Sequence, residues 1–179
     1  MKKKNIIVGI TGSIAAYKSC DLVNSLVKNG YEVTCVMTKE AEKFITPLTL
    51  ETLSGNKVYT DMFCLPDKRK IAHISLAEKA DAILVSPASA NIIAKIAAGI
   101  CDDLLTCVII SSVKPVLIAP AMNEKMYNNS ITQRNVKELE KAGYKIIEPV
   151  KGRLACGHIG VGHLAELKQI VEAVGKILK

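Results

Sequence analysis

The sequence predicts an α/β fold with a parallel sheet sandwiched between helices in three layers. Short β-branched runs alternate with helical patterns along the chain, and the strand runs are nearly all apolar. Such strands are buried on both faces, which is the signature of a parallel sheet covered above and below. No repeat, low-complexity tract or linker divides the 179 residues, so 1–179 reads as a single domain with a core of its own.

The elements follow in order. Residues 5–10 (NIIVGI) read as a buried strand, and 15–28 as a helix that Gly30 ends. Residues 32–37 (EVTCVM) are the second strand, followed by a helical stretch and the segment 47–54. After a polar loop around 66–70, residues 71–80 look helical and 82–86 (AILVS) form a strand. Residues 91–98 make a helix closed by Gly99, 115–119 (PVLIA) a strand, 131–142 a helix, and 145–147 a last short strand. Residues 165–178 close the chain as a helix. Between them, 152–164 reads GRLACGHIGVGHL, with four glycines, one cysteine and two histidines. Glycine populates φ > 0 freely and loses much entropy when ordered, so 152–163 is expected to be a mobile flap, neither helix nor strand.

Composition narrows the function. The opening MKKKNIIVGITGS has a basic leader and a short apolar run. That run is punctuated by glycine and passes straight into an amphipathic helix, so it reads as a first strand, not a signal peptide. No apolar run approaches the roughly 20 residues of a membrane span. A cytoplasmic location follows, with the cysteines at 20, 35, 64, 101, 107 and 156 as reduced thiols. None forms a CxxC pair, so no metal site is expected. The net charge of +7 comes from scattered lysines without interleaved aromatics. That pattern describes a solvated surface, not a nucleic-acid face, and it suits an anionic small molecule.

Parallel sheets bind ligands beyond the carboxyl ends of their strands. The loops 11–14, 38–39, 86–91 and 119–126 all follow strands and therefore gather on one edge. In the first, GITGSIAA (9–16), Gly12 lets backbone approach a ligand, and Ser13 can cap the helix while facing a phosphate. The loop is neither GxGxxG nor a Walker loop. The second strand ends in Thr38-Lys39 where a dinucleotide site would place an acid, so a mononucleotide is indicated. SPASAN (86–91) offers small residues for close approach to a flat ring, with Ser89 and Asn91 as hydrogen-bonding groups; a capped helix is the plainer reading. In PAMNEKMY (120–127), Asn123 could hold a carboxylate without adding charge, and Met126 could pack on a ligand or belong to the core. His73 suits proton transfer only if it faces the site. Cys156 is an acid or nucleophile only if the flap closes over a ligand.

GSIAAYK (12–18), His73, PASAN (87–91), GICDDLLT (99–106), PAMNEKMY (120–127) and ACG (155–157) occur in one order and spacing. In these the chain resembles the flavin-containing cysteine decarboxylases, over nearly its whole length. Within them it is most similar to the stand-alone bacterial phosphopantothenoylcysteine decarboxylases of coenzyme A biosynthesis. The resemblance implies a flavodoxin-like, Rossmann-type sandwich assembled as a homotrimer or dodecamer, with FMN between subunits. It implies that Gly12, Ser13 and Thr38 hold the phosphate side of FMN, that Ser89, Ala90, Asn91 and Ala121 line its ribityl chain and ring, and that Ile14 also contacts the cofactor. The substrate implied is phosphorylated (R)-4'-phospho-N-pantothenoyl-L-cysteine, bound by Asn123, Met126, Ala155 and Gly157. Its cysteine Cβ gives up a hydride equivalent to the flavin and recovers it after carbon dioxide leaves, with no net redox change. His73 serves the oxidative-decarboxylation half, Asn123 grips the carboxylate and Cys156 returns the last proton. The chain departs from the family pattern at Tyr127, where tryptophan is usual, and at His158 and His163, where an acid and an arginine are common. A peptidyl-cysteine decarboxylase and a non-enzymatic regulatory flavoprotein remain as alternatives. A flavin prenyltransferase shares the fold but lacks the PAMN and ACG elements.

Overall fold

The computed structural model describes residues 3–63, 71–153, 157 and 159–179. Five strands form one parallel sheet: β1 (Asn5–Ile10), β2 (Glu32–Met37), β3 (Ala82–Ala88), β4 (Val116–Pro120) and β5 (Lys145–Ile146), in the order β2-β1-β3-β4-β5. The register runs Asn5 to Glu32 through Ile10 to Met37 on one side of β1, and Ile6 to Ala82 through Gly9 to Val85 on the other. A break in register between Val85 and Ala88 accompanies the cis Ser86–Pro87 peptide.

Successive side chains of each strand enter opposite cores, as the two-residue period requires. Ile6, Val8, Ile10, Cys35, Met37 and Leu84 pack with α1 (Lys18–Lys28), α2 (Pro47–Ser54) and α8 (Leu167–Ile177). Ile7, Val36, Ile83, Val85 and Ile118 pack on the other face with α3 (Ala72–Lys79), α4 (Ala90–Ala98), α5 (Leu104–Ile110) and α7 (Ser130–Lys141). The three-layer α/β sandwich is therefore present, with every predicted strand in place. Among the described residues no helix is long and apolar enough to cross a membrane.

Three differences from the expectation have local causes. The first helix opens as a 3-10 turn (Ile14–Tyr17), so α1 begins only at Lys18. Helix α5 had no counterpart in the expected elements: LLTCVII is rich in β-branched residues, but Asp103 caps it and forms a reciprocal box with Thr106. The third corrects the flap. Instead of lacking strands, its arms β6 (Val150–Arg153) and β7 (Ile159–His163) pair antiparallel. The glycines serve close approach there. A Cβ on Gly160 would run into the Glu124 carboxylate, and one on Gly162, at φ 131°, would meet the Met122 carbonyl.

Candidate active site

The loops after β1, β3 and β4 do converge on one edge, and buried hydrogen bonds lock them together. Thr11, only 1% exposed, donates its hydroxyl to the Pro87 carbonyl at 2.7 Å and accepts from the Ser89 N–H at 2.9 Å. Ser19 Oγ donates to the Ser86 carbonyl at 3.0 Å, and Ser13 Oγ to the Ala121 carbonyl at 3.1 Å. Ser13 also caps the 3-10 turn through Ala15 N, and Ser89 caps α4 through Ile92 N. Each capped start leaves neighbouring N–H groups facing the same edge, which favours a bound anion.

These loops and β7 enclose a cavity of about 640 Å³, within the usual size for a cofactor and a small substrate. Of the residues anticipated from sequence, Gly12, Ser13, Ile14, Ser89, Ala90, Ala121, Asn123, Met126 and Gly157 line it. Thr38, Asn91 and His73 do not. Asn91 is exposed on α4, and His73 sits half-buried at the start of α3, in the layer opposite α1. Ala155, Cys156 and His158 lie outside the described residues. Ala15, Tyr17, Lys18, Met122, Gly162, His163 and Leu164 complete the lining and were not anticipated as such. The signal for Lys18 was its place in the GSIAAYK motif. No sequence periodicity announces that α1 starts late enough to turn this lysine to the cavity.

Gly12 has a second reason to lack a side chain, because its Cβ would lie 2.5 Å from Glu40 Cβ. The loops after β1 and β2 are thus pressed together. On the second of them Thr38 donates its N–H to the Ile10 carbonyl, while its buried Oγ1 has no partner among the described residues. Buried hydroxyls are seldom left unpaired. A phosphate at this junction would give Thr38 Oγ1 a partner, and the small apolar residues Ala90 and Ala121 of the cavity lining leave room for a flat ring. The residues present therefore fit FMN.

Met122 N–H donates to the Gly162 carbonyl at 3.0 Å, and the Glu124 carboxylate accepts from Val161 N at 3.2 Å. The PAMNEKMY segment therefore carries β7 on its back. Asn123 caps α6 (Glu124–Tyr127) through Lys125 N at 2.9 Å. Tyr127, in place of tryptophan, is buried and donates its hydroxyl to Glu148 Oε2 at 2.7 Å. Burial and the Glu148 carboxylate together push its phenol well above the ordinary value of 10. Burial also pushes the Cys35 thiol up to about 12 and raises Cys20 and Cys107. None of these three is predisposed to act as a thiolate.

The fold and cavity define a flavin-binding α/β protein whose site gathers at the carboxyl edge of a parallel sheet. The chain belongs to the Flavoprotein family, which it matches across residues 1–179. It is 47% identical over 173 residues to a probable phosphopantothenoylcysteine decarboxylase of Streptococcus mutans, covering 96% of this chain and 97% of that protein. It is 49% identical over 173 residues to the coenzyme A biosynthesis bifunctional protein CoaBC of Borreliella burgdorferi. That match covers 97% of this chain but only 44% of the relative, so the chain spans less than half of the bifunctional protein's length. Among solved structures, a Cys-to-Ser mutant of PPC decarboxylase complexed with pantothenoylaminoethenethiol superposes with a TM-score of 0.91 at 36% identity, covering 98% of both chains. The FMN binding protein AtHal3 superposes at 0.86 with 37% identity, covering 98% of this chain and 96% of that one.

Proposed function

We propose that this protein is an FMN-dependent phosphopantothenoylcysteine decarboxylase, converting (R)-4'-phospho-N-pantothenoyl-L-cysteine to 4'-phosphopantetheine for coenzyme A biosynthesis. The observation that carries the reading is the 640 Å³ cavity, in which the GSIAAYK, PASAN and PAMNEKMY loops meet. The end-to-end match to a streptococcal protein of that name supports the same reading.

Loss of carbon dioxide directly from a cysteine carboxylate would leave a carbanion without an electron sink. FMN, when bound, supplies that sink by reversible hydride transfer. The chain's own residues do the rest. Gly12, Ser13 and Thr38 hold the phosphate side of FMN, while Ser89, Ala90 and Ala121 flank its ribityl chain and ring. The Asn123 amide binds the substrate carboxylate as a neutral donor, which avoids stabilising that carboxylate so strongly that it resists leaving. Met126 packs on the substrate. His73 takes the thiol proton as the substrate is oxidised at Cβ. Cys156 returns a proton to carbon after carbon dioxide has left. Residues 152–163, including Ala155 and Gly157, close over the site and exclude water.

His73 does not line the cavity of its own chain, so we assign it to the site of a neighbouring subunit in a homotrimer. Exposed apolar groups suit that assembly: Ile14, Tyr17 and Met126 rim the cavity, and Ile71 and Ile74 flank His73. A single chain leaves both patches wet. We place the reaction in the cytoplasm, where the thiols stay reduced; Cys20, Cys35, Cys101 and Cys107 are free.

The test offers the FMN-loaded protein phosphopantothenoylcysteine and, separately, a peptide ending in cysteine. Release of carbon dioxide from the first alone supports the assignment. Release from the peptide alone makes the protein a peptidyl-cysteine decarboxylase, and release from neither leaves a regulatory flavoprotein.

A further inference from the structure

At the cavity wall the first residue of α1 meets the last residue of β7. Lys18 Nζ lies 3.1 Å from His163 Nε2, and His163 Nδ1 lies 3.0 Å from the Leu164 carbonyl oxygen. A carbonyl oxygen only accepts, so Nδ1 carries the ring proton. A neutral imidazole has a single N–H, which leaves Nε2 as a lone pair able to accept from the ammonium. A lone pair at Nε2 needs a donor opposite it, and the Lys18 amine supplies one. The ring packs closely on β6: a Cβ on Gly152 would lie 3.1 Å from His163 Cγ, so a side chain there would have to push the ring aside. Among the described residues the ion pairs are made by Lys4, Lys95 and Lys141, not by Lys18. Among the described residues Lys18 is therefore held by a neutral acceptor, with the cavity beside it.

We propose that His163 is a positioning residue: as the neutral Nδ1–H tautomer, it fixes the Lys18 ammonium at the cavity wall to receive an anionic oxygen group of the substrate. This rests on the proposed decarboxylase reading. An arginine at position 163 would repel Lys18 and present its own charge. Histidine instead lends an acceptor and leaves a single cation, so this chain recognises its anion through a relay from β7 to α1.

The test compares wild type with His163→Phe, His163→Gln, Lys18→Met and the double variant His163→Phe/Lys18→Met, all loaded with FMN. Phenylalanine keeps a ring without an acceptor, so KM is expected to rise about tenfold with a smaller change in kcat, the scale of one hydrogen bond to a charged group. Glutamine restores an acceptor and should recover most of that loss. The double variant should be no worse than Lys18→Met alone, because the two residues act as one unit. Repeating the series with dephosphorylated substrate separates the anions: the KM effect vanishes if Lys18 holds the phosphate and persists if it holds the carboxylate. Additive effects, or an unmoved KM in His163→Phe, overturn the proposal. A second readout needs no turnover. The imidazole 15N spectrum should show a protonated Nδ1 and a bare Nε2 for the signal that disappears in His163→Gln; the opposite tautomer or an imidazolium overturns the proposal. If wild type releases no carbon dioxide, the decarboxylase reading fails, and this spectrum still decides whether His163 supports Lys18.

Discussion

Replacing Thr11 by valine removes one hydroxyl while keeping the side-chain shape. Thr11 Oγ1 is the acceptor for Ser89 N–H and the donor to the Pro87 carbonyl, and the residue is almost fully buried. Valine leaves both backbone groups unpaired where water cannot reach them. Each unmet group costs about 1–3 kcal/mol, giving about 2–4 kcal/mol for a site that relaxes in part. For a chain of this size 1 kcal/mol shifts Tm by about 2–4 °C, so the apoprotein should melt roughly 5–15 °C lower. The same bonds hold the loop after β1 against the loop after β3, so FMN affinity, read by recovery of flavin fluorescence on dilution, should weaken in parallel. Thr11→Ser keeps the hydroxyl and should lose far less of both. If Thr11→Val melts within about 2 °C of wild type and binds FMN normally, the two loops are not held by this clamp.

Four further outcomes are expected. Asn123→Asp should abolish turnover yet retain FMN and the fold, because aspartate caps α6 equally well but repels the substrate carboxylate; near wild-type rates would remove Asn123 from the substrate. Cys156→Ser should carry the substrate through oxidation and loss of carbon dioxide, leaving a bleached flavin band and a product lighter by two hydrogens, whereas His73→Asn should leave flavin and substrate unchanged; identical behaviour of the two would refute the division of labour. Coexpressed, those two variants should regain activity in mixed assemblies if His73 serves a neighbouring subunit, and no recovery would place both groups in one chain's site. For Tyr127 the folded phenol holds its proton more tightly than the unfolded one, so its contribution is intact below about pH 10 and fades as pH rises beyond it. Urea midpoints of wild type should therefore fall more steeply above pH 10 than those of Tyr127→Phe, and parallel curves would contradict the Glu148 pairing.

Much of this architecture is written locally in the chain. Runs such as NIIVGI and AILVS are nearly all apolar, and strands buried on both faces announce themselves in that way. The loops that follow them fall on one edge by topology alone, so the sequence itself places Gly12, Ser89 and Asn123 together. What escaped depended on tertiary partners. The composition of α5 favours a strand, and burial of Leu104, Leu105, Val108 and Ile109 beside the Asp103–Thr106 box holds it as a helix. The strands β6 and β7 pair because Gly160 and Gly162 can press against Glu124 and Met122, contacts that a glycine count reads as looseness. Lys18 and His163 lie 145 positions apart and meet only when β7 docks on α1's first turn. His73 stands on α3 and does not line the cavity of its own chain, which no neighbouring residue in the sequence announces.

The most direct measurement of the central claim follows a single turnover of FMN-loaded protein on carboxyl-labelled phosphopantothenoylcysteine, counting labelled carbon dioxide and weighing the product in the same reaction. The account predicts one carbon dioxide per 4'-phosphopantetheine, with the flavin oxidised at the end as at the start. Intact substrate, or carbon dioxide released with a flavin left permanently reduced in the wild type, would contradict it.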